Sequence, residues 1–291
     1  MTYRAIRTWA AERLRAAGVE NESAESGFLM EYACGMSLGS YLLRQEEEIP
    51  EHFAAKYREL VGQRCRRIPL QHLTGVQEFM GLPFEVNEHV LIPRQDTELL
   101  AEQALEILHG WTAAEDAAQI QNPRVLDLCT GSGCIAVSLK TLCPQAAVYA
   151  SDVSPEALAV AKRNAAANHA EVQFTESNLF SGISGAFHMI VSNPPYIPSG
   201  EIPSLMPEVR DHEPMLALDG EEDGLEFYRR IARECRDFLL PGGWLLLEIG
   251  WNQGHDVAEL MRVNGFSDVE VIPDLAGLDR VVRGRTVNRN E

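Results

Sequence analysis

The chain contains 291 residues, 45% of them hydrophobic, and its 43 acidic and 25 basic side chains give a net charge of −18. Such a surface favours solubility and repels phosphate backbones, which argues against broad nucleic-acid binding, and no apolar run approaches the roughly 20 residues of a membrane span. The six cysteines form no CxxC pair and have no metal-site spacing, and the amphipathic N-terminus lacks the apolar centre of a signal peptide, so we expect a cytoplasmic protein with reduced thiols and no metal.

The N-terminal part of the chain has helical periodicity. Apolar residues three and four positions apart predict helices within 3–18, 22–36 and 50–67. Residues 72–93 then carry short apolar runs divided by Gly81 and Pro83, a pattern that predicts a β-hairpin.

A fourth helix is predicted over 96–108, with Asp96 or Thr97 as its N-cap. The polar and irregular stretch 111–123 predicts a loop. The sequence does not assign this stretch a role.

From residue 124 onward, strand and helix patterns alternate. Strands are predicted at 124–129, 147–152, 172–176, 187–192, 243–250, 268–272 and 279–285, and helices at 133–143, 154–168, 223–239 and 253–264. This alternation predicts an α/β fold with a mostly parallel sheet that is covered on both faces. Ligands bind such sheets beyond the carboxyl ends of the strands, so functional residues should follow strands directly.

The first and second of these strands carry the pattern of a nucleoside site. Gly131 and Gly133 lie where the first strand turns into a helix, and Asp152 ends the next strand about 20 residues later, where a carboxylate can accept hydrogen bonds from ribose hydroxyls. Ile135 and Ala136 occupy the place of the third glycine that a dinucleotide requires, so S-adenosylmethionine fits better than a diphosphate. The alternative is that the glycine turn serves packing alone.

The fourth strand ends in the corner "SNPPYIP" (192–198). The Asn193 side-chain oxygen and the Pro194 carbonyl are acceptors that could each take one hydrogen of a planar NH2 group, and Tyr196 could stack on that group. The two prolines stiffen the corner and remove donors from it. The alternative is an ordinary strand-ending turn.

The sequence closely resembles the protein-(glutamine-N5) methyltransferases of bacterial class 1 peptide-chain release factors, the PrmC/HemK family. The resemblance covers nearly the whole chain and rests on the blocks "PLQHLTGVQEFMGLPFEV" (69–86), "LIPRQDTELL" (91–100), "VLDLCTGSGCIAVSL" (125–139), "SNPPYIP" (192–198), "EPMLALDGEEDGLEFYRRI" (213–231), "LLLEIGWNQG" (245–254) and "DLAGLDRVV" (274–282).

The resemblance implies a class I methyltransferase fold, a seven-stranded Rossmann-like sheet with one antiparallel strand, preceded by a small helical domain. It implies a helical substrate-docking domain at 1–74, a hairpin linker at 75–92 and a catalytic domain at 93–291. The expected reaction methylates the glutamine of a Gly-Gly-Gln loop in a release factor, which would tune translation termination. The implied cofactor is S-adenosylmethionine, leaving as S-adenosylhomocysteine. We expect a cytoplasmic monomer that contacts the release factor but no nucleic acid and no membrane.

The same resemblance implies roles for individual residues. Cofactor contacts are expected from Cys129, Thr130, Gly131, Ser132, Gly133, Asp152, Asn178, Leu179 and Asn193. Catalysis and glutamine binding are expected from Asn193, Pro194, Pro195 and Tyr196, with Arg94 and Glu98 either ordering the loop over the substrate or contacting it.

The chain departs from the family pattern at four positions. Gln95 stands where the family has a proline, which would loosen the loop over the site. Cys129 replaces the first glycine of the turn and predicts a conventional φ there. Asn178 and Leu179 follow the third strand in place of an acidic residue and an aromatic, so either of them could approach the adenine.

Several alternatives remain open at this point. A nucleic-acid N-methyltransferase shares the Asn-Pro-Pro-Tyr corner but should have a basic face, and a non-catalytic adaptor should have a degraded turn or corner. The basic cluster of Arg64, Arg66 and Arg67 is interpreted either as a solvated helix end or as a contact for an acidic partner. Glu248, at a strand end, is interpreted either as a residue that lines the pocket or as a member of an ion pair.

Overall fold

The fold is taken from a computed structural model that describes residues 1–113 and 120–287. The helices are α1 (Tyr3–Ala16), α2 (Glu22–Cys34), α3 (Leu38–Arg44), α4 (Glu51–Cys65), α5 (Leu70–Thr74), α6 (Gln95–Ala113), α7 (Cys134–Leu142), α8 (Pro155–Ala167), α9 (Pro207–Arg210), α10 (Met215–Leu218), α11 (Glu226–Glu234) and α12 (Gly254–Val263). The strands are β1 (Val76–Phe79), β2 (Leu82–Glu85), β3 (Arg124–Leu128), β4 (Ala147–Asp152), β5 (Val172–Glu176), β6 (Phe187–Ser192), β7 (Leu239–Glu248), β8 (Phe266–Pro273) and β9 (Asp279–Thr286). Within the described ranges, none of these helices combines the length and apolarity needed to cross a bilayer.

Most predicted elements are confirmed, and the differences lie at element ends: β7, predicted at 243–250, spans Leu239–Glu248. Helix α6 begins at Gln95, so the prediction of Asp96 or Thr97 as its N-cap is wrong; the Thr97 N–H donates to the Arg94 carbonyl within its first turn. The same helix runs to Ala113, so the predicted loop is wrong at its first three residues, and residues 114–119 of that prediction lie outside the described part. Helix α11 ends at Glu234, before the predicted end, because a short 3-10 turn and then β7 follow it.

The chain forms two compact units. The first consists of Met1–Val76 together with Met206–His212, a segment that the sequence-based division assigned to the catalytic region. The second contains the other described residues, from Gln77 to Leu205 and from Glu213 onward.

The helical unit packs α1, α2 and α4 around an apolar core and holds a buried ion-pair network. Arg64 is 4% exposed and pairs with Glu25 and, at 2.8 Å, with Glu208; Arg67 forms two bonds of 2.6 Å to the Glu208 carboxylate. Burial disfavours charge on Glu208, yet the hydrogen bonds from Arg67 and Arg64 hold its pKa at about 2. The prediction of a solvated basic helix end is therefore wrong for Arg64, which is bound to acidic residues of its own chain.

The second unit contains a seven-stranded sheet of order β5-β4-β3-β6-β7-β9-β8, in which β9 runs in the direction opposite to the other six strands. Strand order reverses between β3 and β6, because the chain winds outward to β5 and then returns to the other side of β3. This is the predicted architecture, and it places a topological switch point at the carboxyl ends of β3 and β6.

Alternate residues of each central strand enter two different cores. Val125 of β3 packs in one core with α6, α7 and α8, whereas Leu126 packs in the other with α11 and α12. Both faces of the central sheet are therefore covered by helices, which explains why β6 and β7 carry continuous apolar runs at 189–191 and 244–247.

Candidate active site

The carboxyl ends of three neighbouring strands are in register. Leu128 at the end of β3 is paired with Ser151 in β4 and with Ser192 in β6, and the Ser192 hydroxyl donates to the Leu128 carbonyl at 2.8 Å. The residues that follow, including Asp152 and Asn193, therefore meet at one edge of the sheet.

An open cavity with about 980 Å³ of empty space, part of it open to solvent, lies at this edge. Its size is within the range of small-molecule sites. The predicted residues that line it are Cys129, Thr130, Gly131, Ser132, Asp152, Asn178, Leu179, Asn193 and Pro195. Five other predicted residues lie outside this lining: Arg94, Glu98, Gly133, Pro194 and Tyr196.

The glycine turn is tied to Asp152 through the backbone. Gly131 N donates to one Asp152 carboxylate oxygen and Ser154 N to the other, both at 2.9 Å. Burial raises the pKa of Asp152, and these hydrogen bonds oppose the shift. Gly131 has a φ of 54°, and a Cβ built on it would meet no atom within 4 Å. A side chain at this position would project into free space, so the glycine keeps room for a ligand beside a carboxylate.

The prediction of a conventional φ at Cys129 is wrong, because its φ is 58°. A non-glycine residue in this region is strained by roughly 1–2 kcal/mol. The turn is held by Thr130, whose N–H donates to the Ser151 carbonyl and whose hydroxyl donates to Asp127 at 2.6 Å. Asp127 is fully buried, and burial raises its pKa to about 7.

The Asn-Pro-Pro-Tyr corner is clamped by residues 218–220. Ile197 N donates to the Leu218 carbonyl at 3.0 Å, and Gly220 N donates to the Ile197 carbonyl at 2.8 Å. A Cβ on Gly220 would lie 2.7 Å from the Tyr196 Cα, so only glycine permits this approach. Gln253 fixes the other side, since its Nε2 donates to the Tyr196 carbonyl at 3.0 Å.

The side chains of the corner are hydrogen-bonded to α6 and to a buried carboxyl. Asn193 Nδ2 donates to Thr97 Oγ1 at 3.2 Å, and the Tyr196 hydroxyl donates to Glu248 Oε1 at 3.3 Å. Glu248 is 1% exposed, and burial raises its pKa to about 7 against the charge of Arg280 and the hydrogen bond from Tyr196. Burial also raises the pKa of Tyr196.

Arg94 and Glu98 hold loops of the second unit. Arg94 donates to both carboxylate oxygens of Glu213, at 2.8 and 2.7 Å, and Glu98 accepts a hydrogen bond of 2.6 Å from Met80 N in the β1–β2 turn. These contacts favour the ordering role over direct contact with substrate. Glu213 is buried, and burial raises its pKa while Arg94 opposes the shift.

Sequence reasoning missed three residues around the corner. Thr97 was predicted only as a helix cap, and Glu213 and Gln253 were predicted only as parts of family-like blocks. A charged or amide residue inside an otherwise apolar block was the signal available for the last two. Among the described residues, histidine, cysteine and carboxylate side chains form no group of three that could hold a metal ion.

Comparison with known proteins gives consistent matches. A family model described as the PrmC N-terminal domain matches residues 5–75, and one described as the methyltransferase small domain matches residues 114–206. The chain is 43% identical over 286 residues to the release factor glutamine methyltransferase of Geobacter sulfurreducens, covering 98% of this chain and 96% of that protein. It is 41% identical over 285 residues to the same-named protein of Deinococcus radiodurans, covering 98% and 99%. A solved methyltransferase from Pyrococcus furiosus has a TM-score of 0.52 at 18% identity, covering 78% of this chain and 98% of that one, which indicates the shared fold alone.

Proposed function

Because this chain belongs to the release factor glutamine methyltransferase family, we propose that it transfers a methyl group from S-adenosylmethionine to the side-chain amide nitrogen of the glutamine in the Gly-Gly-Gln loop of a class 1 release factor. The observation that carries the proposal is the junction of the rigid Asn193 corner with a cavity that also contains the Asp152 carboxylate. The product would be S-adenosylhomocysteine and an N5-methylated glutamine.

The cavity residues fit this cofactor. Asp152 would accept hydrogen bonds from the ribose hydroxyls, for which each oxygen keeps a lone pair after its backbone hydrogen bond. Gly131 and Ser132 would let the amino-acid tail approach the backbone, and Asn178 and Leu179 would border the adenine. The bound cofactor would supply an electrophilic methyl carbon on a sulfonium, whose charge is neutralised when the carbon–sulfur bond breaks.

The corner would activate the amide by position. An amide nitrogen is a weak nucleophile because its lone pair is delocalised. Asn193 Oδ1 and the Pro194 carbonyl would each accept one of its hydrogens, which aims the nitrogen at the methyl carbon, and Tyr196 would stack on the amide plane. A positioned attack of this kind is worth up to roughly 7–11 kcal/mol. Because an asparagine oxygen cannot take up a proton, the proton released from the methylated nitrogen would pass to water.

The proposal also assigns roles along the chain. The helical region 1–74 would dock the release factor, 75–92 would serve as a linker, and 93–291 would carry out the reaction. The protein would act as a cytoplasmic monomer without a metal and without direct contact with nucleic acid.

The test is transfer of a labelled methyl group to a purified release factor, with the modified residue located by peptide mass mapping. The matched control is the same release factor with asparagine in place of the Gly-Gly-Gln glutamine, which keeps the amide but shortens its reach. We expect labelling of the glutamine and none of the control. Labelling of DNA or RNA instead, or of another residue, would refute the proposal.

A further inference from the structure

The side chain of Gln253 lies in a slot between the corner and the loop that precedes α11. Its Nε2 donates to the Tyr196 carbonyl at 3.0 Å and to the Gly224 carbonyl at 3.2 Å, and its Oε1 accepts from Gly250 N at 2.9 Å. Gln253 is 7% exposed, so these hydrogen bonds are shielded from water. All four residues belong to the second unit.

The orientation of this carboxamide follows from its partners. A backbone carbonyl can only accept a hydrogen bond, and a backbone N–H can only donate one. The NH2 group of Gln253 must therefore face the two carbonyls, and its oxygen must face Gly250 N. A carboxamide turned the other way would place its oxygen against two acceptors and its NH2 against a donor, and every one of these hydrogen bonds would be lost.

Glycine is required on two sides of the slot. Gly224 has a φ of 74°, and a Cβ built on it would collide with the Tyr196 carbonyl oxygen and lie 2.8 Å from Gln253 Nε2. A Cβ on Gly250 would lie 2.9 Å from Gln253 Oε1. A larger residue at either position would displace the carboxamide or the corner, so the slot is built to hold the Gln253 side chain against the corner.

The corner needs an anchor of this kind because its prolines cannot supply one. Pro194 and Pro195 have no N–H to donate, and their rings fix φ at about −65°. The backbone from Pro194 to Tyr196 is therefore stiff, and a shift at the Tyr196 carbonyl is passed on to the Pro194 carbonyl. Gln253 supplies a donor from outside the corner and holds it at the Tyr196 end.

We infer that Gln253 is a positioning residue, which fixes the Tyr196 end of the corner and thereby sets where the Pro194 carbonyl meets the substrate amide. The inference rests on the proposed function, in which that carbonyl accepts one hydrogen of the glutamine side chain. Gln253 itself lies outside the lining of the cavity, so it acts through the corner and not by touching the substrate.

The test compares Gln253→Met with Gln253→Glu. Methionine keeps the length of glutamine, forms none of the three hydrogen bonds and does not titrate. Glutamate keeps the shape, but its carboxylate sets an acceptor against two carbonyls, and only the protonated acid can donate a hydrogen to one of them. At about pH 8.5 we expect both substitutions to lower kcat by up to roughly 100-fold, because a displacement of about 1 Å costs that much. KM for the release factor and Kd for S-adenosylmethionine should change only a few-fold.

The pH profile separates anchoring from a general loss of packing. Burial disfavours the charged form of the introduced glutamate, so it takes up its proton well above the ordinary pKa of that side chain. The kcat of Gln253→Glu, relative to the parent, should recover several-fold between about pH 8.5 and about pH 6, whereas the ratio for Gln253→Met should stay constant.

The ionisable groups nearby do not produce this difference. The Tyr228 hydroxyl lies 3.4 Å from Gln253 Oε1 and stays neutral over the range, because burial raises the pKa of Tyr228. Glu248 and Asp127, each with a pKa raised to about 7 by burial, are present in all three proteins, so the Gln253→Met ratio accounts for them.

A second readout needs no substitution. Among the described glutamines, Gln253 is the one that is buried, and its NH2 group donates to two carbonyls. When the parent is isotopically labelled on its glutamine side chains, one NH2 signal in the NMR spectrum should exchange with solvent markedly more slowly than the others. This measurement decides whether the anchor exists if neither variant folds, as judged by circular dichroism.

The inference is overturned if Gln253→Met keeps the parent kcat, if the two variants are equally impaired at every pH, or if no glutamine NH2 is protected in the parent. A parent protein that methylates no release factor would instead refute the proposed function, and protection of the Gln253 NH2 would still decide whether the corner is anchored.

Discussion

We expect the Glu248 carboxyl to make the free energy of unfolding depend on pH. The substitution Glu248→Gln should remove this contribution to the pH dependence. Burial raises the pKa of this carboxyl to about 7 from an ordinary value of 4.5, with the charge of Arg280 and the hydrogen bond from Tyr196 opposing the shift and the charge of Asp96 adding to it. The folded chain therefore keeps this proton up to about pH 7, whereas the unfolded chain releases it near pH 4.5. Because the folded state binds more protons between these values, the contribution to stability falls as pH rises through the window and vanishes above about pH 8.

The two pKa values set the magnitude. Their difference corresponds to about 3 kcal/mol in total, of which about 2 kcal/mol is lost between about pH 5.5 and about pH 8.5. Glutamine has nearly the same volume, still offers an oxygen to the Tyr196 hydroxyl, and does not titrate. The partnerless NH2 that it introduces adds an offset that is the same at every pH.

The assay is urea unfolding of the parent and of Glu248→Gln across this pH range, followed by tryptophan fluorescence, to which Trp244 on β7 contributes. The quantity of interest is the difference between the two free energies of unfolding. Asp127, with its pKa raised to about 7 by burial, titrates in the same window but is present in both proteins and cancels. A difference that stays constant, or that shifts in favour of the parent as pH rises, would refute the reasoning.

Three further substitutions test other parts of the structure. Asn193→Ala should lower turnover by about a hundredfold or more while cofactor affinity stays within a few-fold, measured by single-turnover kinetics and calorimetry. Asp152→Ala should weaken cofactor binding by about 1.5–3 kcal/mol, and unchanged affinity in calorimetry would exclude the ribose role. Glu208→Ala should destabilise the helical unit by about 1.5–3 kcal/mol because Arg64 and Arg67 lose a buried carboxylate, and faster amide exchange along α4 is the readout.

Sequence alone could predict the parts of the site that belong to short sequence motifs. Asn193 and Gly131 each directly follow a recognisable apolar strand, and the rule that ligands bind at the carboxyl ends of parallel strands then brings them together. The centre of the sheet was predictable for a related reason, because strands with both faces covered carry continuous apolar runs, as β6 and β7 do.

Backbone strain was not predictable in the same way. Cys129 has a positive φ although a cysteine disfavours it, because Thr130 is anchored on one side to β4 and on the other to the buried Asp127. The anchors outweigh the preference of a single residue. A sequence shows that preference but not the strength of the contacts that override it.

Contacts between residues far apart in the chain were the main feature that sequence alone could not predict. These contacts determine how the side chains of the local motif are oriented. Thr97 lies 96 residues before Asn193, and its contact with that side chain depends on how α6 packs against β7 and β9 of the sheet. The motif supplies a carboxamide, yet a carboxamide has two ends with opposite hydrogen-bonding character. In the fold the NH2 end of Asn193 donates to Thr97, so the chemistry of the corner depends on a contact with a residue outside it.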